Sequence, residues 1–162
     1  MEIRTATLQD LDRMLEIYDY ARAFMRSTGN PTQWSGGYPS RELLLADIEA
    51  GVSFVAEEEG VIHGTFMFYN GKDGIYDVIE DGAWLNDEPY AVIHRIAGDG
   101  QIKGLLSMAV EYGSQFSDNL RMDTHRDNRV MQHTLEKNGF VRCGIIHLEN
   151  GDPRIAYHRI EA

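Results

Sequence analysis

The chain is poor in cysteine, proline and positive charge, and it has no long apolar run. Cys143 is its one cysteine, so no internal disulfide can form and a reducing compartment is the simple expectation. No stretch approaches the roughly 18 apolar residues that span a bilayer, so no membrane is expected as a partner. The opening MEIRTATLQDLDRM is not a basic segment followed by an apolar one. No signal peptide is therefore expected, and the expected location is cytoplasmic. Lys and Arg number 15 against 26 Asp and Glu, for a net charge of −11. Nucleic-acid binding usually needs a basic face, so nucleic acid is not expected. The acidity either attracts a cationic partner such as an amine or only maintains solubility. His63, His94, His125, His133, His147 and His158 show no metal spacing, and no metal is expected.

What is present suits a globular protein. The 162 residues are 43% hydrophobic and 25% charged, which fits one ordinary domain over 1–162 with a real core. Ile3–Thr7 reads as a strand, and Thr7-Leu8-Gln9-Asp10 as a capping box with Asp in place of Glu or Gln. Leu11, Met14, Leu15, Tyr18, Ala21 and Met25 recur at helical spacing until Gly29-Asn30-Pro31 stops them. The loop Pro31–Pro39 carries Trp34 and Tyr38, and Ser40 caps an expected helix over Arg41–Ala50. Val52–Glu57 and Val61–Tyr69 read as a hairpin. Gly71–Pro89 has no clear period. Tyr90–Ala97 is an apolar strand interrupted by His94 and Arg95. Ile102, Leu105, Leu106, Ala109 and Val110 form a helical stripe. A short strand over Leu120–Thr124, a helix within Asp127–Gly139, and a hairpin of Phe140–Leu148 with Ile155–Ile160 complete the chain. This order predicts an α/β fold with a mixed sheet.

The run from Ile93 to Leu106, IHRIAGDGQIKGLL, joins a strand to a helix through a glycine-rich turn. Unpaired N–H groups at a helix N-terminus favour an anion, phosphate above all. A nucleotide-triphosphate loop wants Gly-Lys followed by Ser or Thr, whereas Lys103 precedes Gly104 here. Gly98, Gly100 and Gly104 also miss the dinucleotide spacing. On these residues alone, the turn is either an anion site or a plain connection.

Gln101-Ile102-Lys103-Gly104-Leu105-Leu106 resembles the acetyl-CoA pyrophosphate loop of the GNAT superfamily of N-acetyltransferases. That loop has Gln or Arg, two residues, Gly, one residue, then Gly or Ala. Gln101 and Gly104 match it, while Leu106 stands where the family has Gly or Ala. Asn128, followed by Gly139-Phe140, resembles the family's Asn-led helix ending in Gly-Phe, and the order of elements fits nearly the whole chain. The run MDTHRDNRVMQ from Met122 to Gln132 is similar to a branch whose members mostly lack an assigned substrate.

The resemblance implies a mixed, mostly antiparallel sheet with helices on both faces, and acetyl-CoA as cosubstrate. It implies that Gln101, Ile102, Lys103, Gly104, Leu105 and Leu106 hold the diphosphate. Ile96 and Ala97 would present backbone groups to the pantetheine arm, and Asn128 would bond the arm from the other side. By residue type alone, Asn128 equally suits an ordinary N-cap.

Acetyl transfer needs a neutral amine. An amine of pKa about 10.4 is neutral in about one molecule in 2,500 at pH 7, a handicap near 4.6 kcal/mol, so a proton acceptor is valuable. His94 is the first candidate, with Glu88 and His125 as further ones; each also reads as a structural or solvated polar residue. The family commonly has a Tyr acid seven residues after its Asn, where this chain has Leu135. Trp34, Trp84 and Tyr90, with Tyr38, are candidates for the acceptor pocket or for packing. Arg154 either holds an acidic group of the acceptor or pairs on the surface. The leading expectation is an acetyl-CoA-dependent N-acetyltransferase acting on a primary amine of a small molecule or protein. The alternatives are a GNAT-like acyl-CoA-binding module with little or no turnover, and an interaction domain without CoA. A homodimer through the terminal hairpin edge is also expected as an option.

Overall fold

In the computed structural model, which describes residues 1–161, each apolar stripe becomes a helix laid on one seven-stranded sheet. The elements are β1 (Glu2–Thr5), α1 (Leu11–Ser27), α2 (Arg41–Glu49), β2 (Ser53–Glu58), β3 (Val61–Tyr69), β4 (Ala91–Gly98), α3 (Leu105–Ser114), β5 (Asn119–Thr124), α4 (Arg129–Lys137), β6 (Val141–His147) and β7 (Pro153–Ile160). The strand order is β1-β2-β3-β4-β5-β7-β6. Only β4 and β5 run parallel, because α3 carries the chain across between them. The sheet is therefore mixed and mostly antiparallel, with β6 at one edge.

Boundaries move where a local group competes with the ladder. The first strand ends at Thr5 rather than Thr7, because the Thr7 N–H donates to Asp10 Oδ2 at 2.8 Å and starts a turn. The helical stripe from Ile102 becomes helix only at Leu105, since Gly104 takes a left-handed φ of 78°. Gly71–Pro89 contains no strand; it holds one 3-10 turn and a single bridge, Glu80 to Ile145.

Helices cover both faces of the sheet. On one face α3 and α4 bury Leu106, Ala109, Val110 and Leu135 against Phe66, Phe68, Ile93, Leu120 and Tyr157. On the other, α1 and α2 bury Met14, Ile17, Tyr18 and Leu44 against Val55, Ile62 and Ala97. The segment Gly71–Pro89 covers the rest of that face, with Tyr76 and Trp84 packed near Tyr90, Val92 and Ala156. No helix among the described residues is long and apolar enough to cross a membrane.

Two features of β4 open the centre of the sheet. β4 pairs with β5 only through Ala91–Leu120 and Val92–Arg121, so the two strands part from Ile93 onward. Against β3, His94 faces Met67 and Ala97 faces Thr65. Arg95 and Ile96 thus share the single partner position of Phe66, which is a β-bulge. Arg95 has a φ of 54°, a conformation that an ordinary residue holds only when its surroundings enforce it. The Tyr18 phenol donates to the Arg95 carbonyl at 2.6 Å, and the Arg95 guanidinium meets Asp47 at 2.8 Å.

Candidate active site

A cavity of about 670 Å³ lies where β4 and β5 part. Its walls include Ile93, His94, Arg95 and Ile96 from β4, Met122, Asp123 and Thr124 from β5, and Asn128 and Met131 from α4. Gln33, Trp34 and Tyr38 reach it from the loop between α1 and α2, Asp73 from the segment before β4, and Arg154 from β7. An unpaired stretch of β4 offers backbone N–H and C=O groups to whatever enters, as a sheet edge offers them to an added strand.

His94 stands between two carboxylates. Its Nε2 lies 2.8 Å from Asp73 Oδ2, and its Nδ1 lies 3.9 Å from Asp123 Oδ2. A carboxylate only accepts, so Nε2 carries the hydrogen and Nδ1 is the nitrogen left to take a proton. The hydrogen bond from His94 holds the Asp73 carboxyl below its usual range, against the opposing effect of burial. Asp123 accepts from the Tyr76 phenol at 2.7 Å. Burial, reinforced by Asp123, pushes that phenol well above its ordinary value. Residue spacing gave no hint of this group, because Asp73 comes from a segment without periodicity. Its Asp-Gly-Ile-Tyr turn signals a local cap, which Asp73 does form by accepting from the Ile75 N–H.

The turn expected to hold an anion offers mainly backbone. Asp99, 9% exposed, accepts from the Gln101 N–H at 2.9 Å and binds Arg13 and His63, both at 2.7 Å. Burial alone would raise its carboxyl, but the Gln101 N–H, His63 and Arg13 outweigh this and hold it below the usual range. The turn is thereby pinned ahead of α3. No side chain caps that helix, so its first N–H groups have no intrahelical partner. A Cβ at Gly104 would meet nothing within 4 Å, which leaves the space ahead of the helix open. Leu106 is 3% exposed with its side chain in the core, so it does not crowd this end. These residues fit a diphosphate: the helix start is uncapped, its dipole favours an anion, and the space beside Gly104 is open.

Asn128 caps α4, with Oδ1 accepting from the Met131 N–H at 3.0 Å. Its Nδ2 donates to Gln33 Oε1 at 2.9 Å, so the amide also ties the α1–α2 loop to the cavity wall. Ile96 faces the cavity, whereas Ala97 is buried against α1.

The remaining candidates separate. Trp34 lines the cavity, packed edge-on against Tyr18. Trp84 and Tyr90 do not; they clamp the Arg121 guanidinium, 4.1 and 4.0 Å from their ring centres, under the Gly71–Pro89 segment. Glu88 is exposed on that same segment, away from the cavity lining. His125 accepts from the Asp127 N–H at 3.0 Å and meets Thr32 Oγ1 at 3.2 Å, as a brace for the α1–α2 loop. Burial, and then the charge of Arg154, lower its pKa. Asp123, close to His125 in sequence, turns instead to His94. Leu135 is fully buried, and no hydroxyl replaces the missing Tyr there. No group of three or more His, Cys, Asp or Glu is placed to hold a metal among the described residues.

Solved structures share this architecture. A GNAT-family acetyltransferase from Streptococcus agalactiae 2603 is 32% identical, over 99% of this chain and 95% of its own, with a TM-score of 0.87. A GNAT-family acetyltransferase from Listeria monocytogenes 4b F2365 is 19% identical over 98% of this chain and 94% of its own, with a TM-score of 0.69. One from Bacillus cereus ATCC 10987 is 20% identical over 99% and 97%, with a TM-score of 0.63. The last two show the fold alone. No protein-family model and no curated protein matches the chain.

Proposed function

This chain belongs to the GNAT family of acetyltransferases, and we propose that it moves an acetyl group from acetyl-CoA to a primary amine in the cytoplasm. The parting of β4 from β5 beyond Val92, with the bulge at Arg95 and Ile96, carries this reading. It leaves an open stretch of β4 beside His94, and β4 leads directly into the turn before the uncapped start of α3.

Acetyl-CoA would supply an activated acyl group whose thiol leaves readily, with a pKa of about 8.5. The N–H groups of residues 101–106 would hold its diphosphate, and the β4 backbone at Ile96 would pair with its extended arm. The N–H groups of the bulge are also the available donors for the oxygen that gains charge as the amine adds. The amine must lose a proton, and His94 Nδ1 receives it. Asp73 fixes the tautomer through Nε2, and Asp123 stabilises the imidazolium that results. One C–N bond forms, one C–S bond breaks, and the proton leaves through His94. With Leu135 in the usual Tyr position, the thiol departs without a protein acid. That same residue favours a second reading, an acyl-CoA-binding module without turnover.

Calorimetry with acetyl-CoA and free-thiol release over a panel of amines test the proposal together. Binding with amine-dependent thiol release is expected. Binding without release would leave only the module, and absence of binding would overturn both readings.

A further inference from the structure

The cavity extends past His94 to β7, where it reaches a cation without a counter-charge. Arg154 is 6% exposed and lines the cavity. Its Nη1 donates to the Pro153 carbonyl at 2.9 Å and its Nη2 to the Gln33 carbonyl at 3.4 Å. The first partner is its own neighbour in sequence, and the second contact is long. Among the described residues, no carboxylate lies within ion-pair distance of it. Glu149 and Asp152 line the same cavity, but neither reaches the guanidinium. The half-buried Arg95 has Asp47 at 2.8 Å, and the buried Arg121, though its Nε is unpaired, lies between the rings of Trp84 and Tyr90 and donates to the Asn86 carbonyl. A guanidinium taken out of water with neither a carboxylate nor an aromatic face is unfavourable until an anion joins it. Its planar fork matches a carboxylate through two parallel hydrogen bonds.

Strand register places this cation relative to the reacting centre. Asp123, which flanks His94, pairs across the ladder with Ala156. Arg154 precedes Ala156 by two residues on β7, so both point to the same face, about 7 Å apart along the strand. A small molecule can span that interval.

We propose that the acceptor is an amine that also carries a carboxylate, an amino acid in chemical class, and that Arg154 binds this carboxylate while the amine faces His94. The proposal rests on the reading of the protein as an amine acetyltransferase and narrows its substrate. The acidic cavity lining and Arg154 then have separate tasks: Asp73, Asp123 and His94 meet the nitrogen, and Arg154 meets the oxyanion.

The test uses pairs of acceptors that share an amine and differ in the carboxylate: L-amino acids against their amides, and β-alanine against propylamine. The value of kcat/KM, expressed per neutral amine, should favour the carboxylate member by about a hundredfold, the scale of a desolvated charge pair. In Arg154→Gln the ratio should fall toward one. Arg154→Lys should keep part of it, because the charge stays while the fork is lost. Calorimetric binding of the same pairs to the CoA-loaded protein gives a readout free of turnover. Carboxylate-dependent binding that disappears in Arg154→Gln, with no amine acetylated, would end the transferase reading and leave the carboxylate site standing. A wild-type protein indifferent to the carboxylate in both measurements would overturn the proposal, whatever the variants do. A folded Arg154→Gln protein with an undiminished ratio would overturn it as well.

Discussion

The two ends of the proposed acetyl-CoA path are made of different material. From Asp99 to Leu106 the surface offered is mainly backbone, pinned by one buried carboxylate that binds Arg13, His63 and the Gln101 N–H. From Asp73 to Arg154 it is mainly charged and polar side chains: Asp73, His94, Asp123 and Arg154. A backbone site tolerates a change of side chain. Leu106 can replace a small residue because its side chain turns into the core while its N–H stays at the helix start. A side-chain site has no such tolerance, since each group acts through its own position and charge. On the proposed function, the first end would carry the cofactor chemistry and the second the choice of acceptor.

The sharpest break in this contrast is Gly104→Glu, which puts a negative charge and a side chain into the open space ahead of α3. Acetyl-CoA affinity should fall by at least about a thousandfold, or roughly 4 kcal/mol, in calorimetry on a folded protein. Retained affinity would mean the diphosphate is held elsewhere. The complementary change at the same end is Leu106→Ala. It opens a core cavity and should lower stability by about 3 kcal/mol in denaturant unfolding, while acetyl-CoA affinity changes by less than about tenfold. The reverse pattern, intact stability with lost affinity, would show the Leu106 side chain to be part of the site.

At the other end, His94→Gln keeps a polar side chain that cannot take a proton. The rate at saturating acetyl-CoA and pH 7 should drop about a hundredfold, the usual scale for loss of a general base. The deficit should shrink as pH rises toward the amine's own pKa, because the amine then arrives neutral. The wild-type rate should rise with pH without a descending limb near pH 10, since the Tyr76 phenol is pushed well above that value and no Tyr stands at Leu135. An unaltered rate in the variant would return His94 to a packing role with Asp73.

Asn128→Asp gives the smallest effect and probes the seam between the two ends. Aspartate caps a helix as well as asparagine, and Gln33 can turn its amide to donate, so folding should be kept. The lost Nδ2 donor and the added charge should weaken acetyl-CoA by about tenfold, near 1.4 kcal/mol. Equal affinity for the two proteins would confine Asn128 to capping and to holding Gln33.

Much of the fold was legible because it is local. The stripe from Leu11 to Met25, the Ser40 cap, the β2–β3 hairpin and the glycine after α4 each follow from residues a few positions apart. The glycine turn before α3 was legible for the same reason: a strand, a glycine-rich bend and a helix are neighbours in sequence. The His94 group was half legible. An imidazole in an apolar strand stood out, but its two carboxylates lie 21 and 29 positions away. For Trp84 and Tyr90 the choice between pocket and packing stayed open in the sequence, because aromatic type does not say which side of a segment will be covered; both pack on Arg121.

The amino-acid sequence by itself determined the order of helices and strands, the mixed sheet and the glycine turn that leads into an uncapped helix start. Each depends on periodicity, caps and glycine within one or two turns of chain. Only the tertiary structure decided that β4 would bulge at Arg95 and part from β5. That required the Tyr18 phenol and the Asp47 carboxylate, brought from two helices, to hold a strained backbone. Only the tertiary structure, too, left Arg154 without a counter-charge, because burial and ion pairing are properties of what surrounds a side chain and not of its place in the sequence.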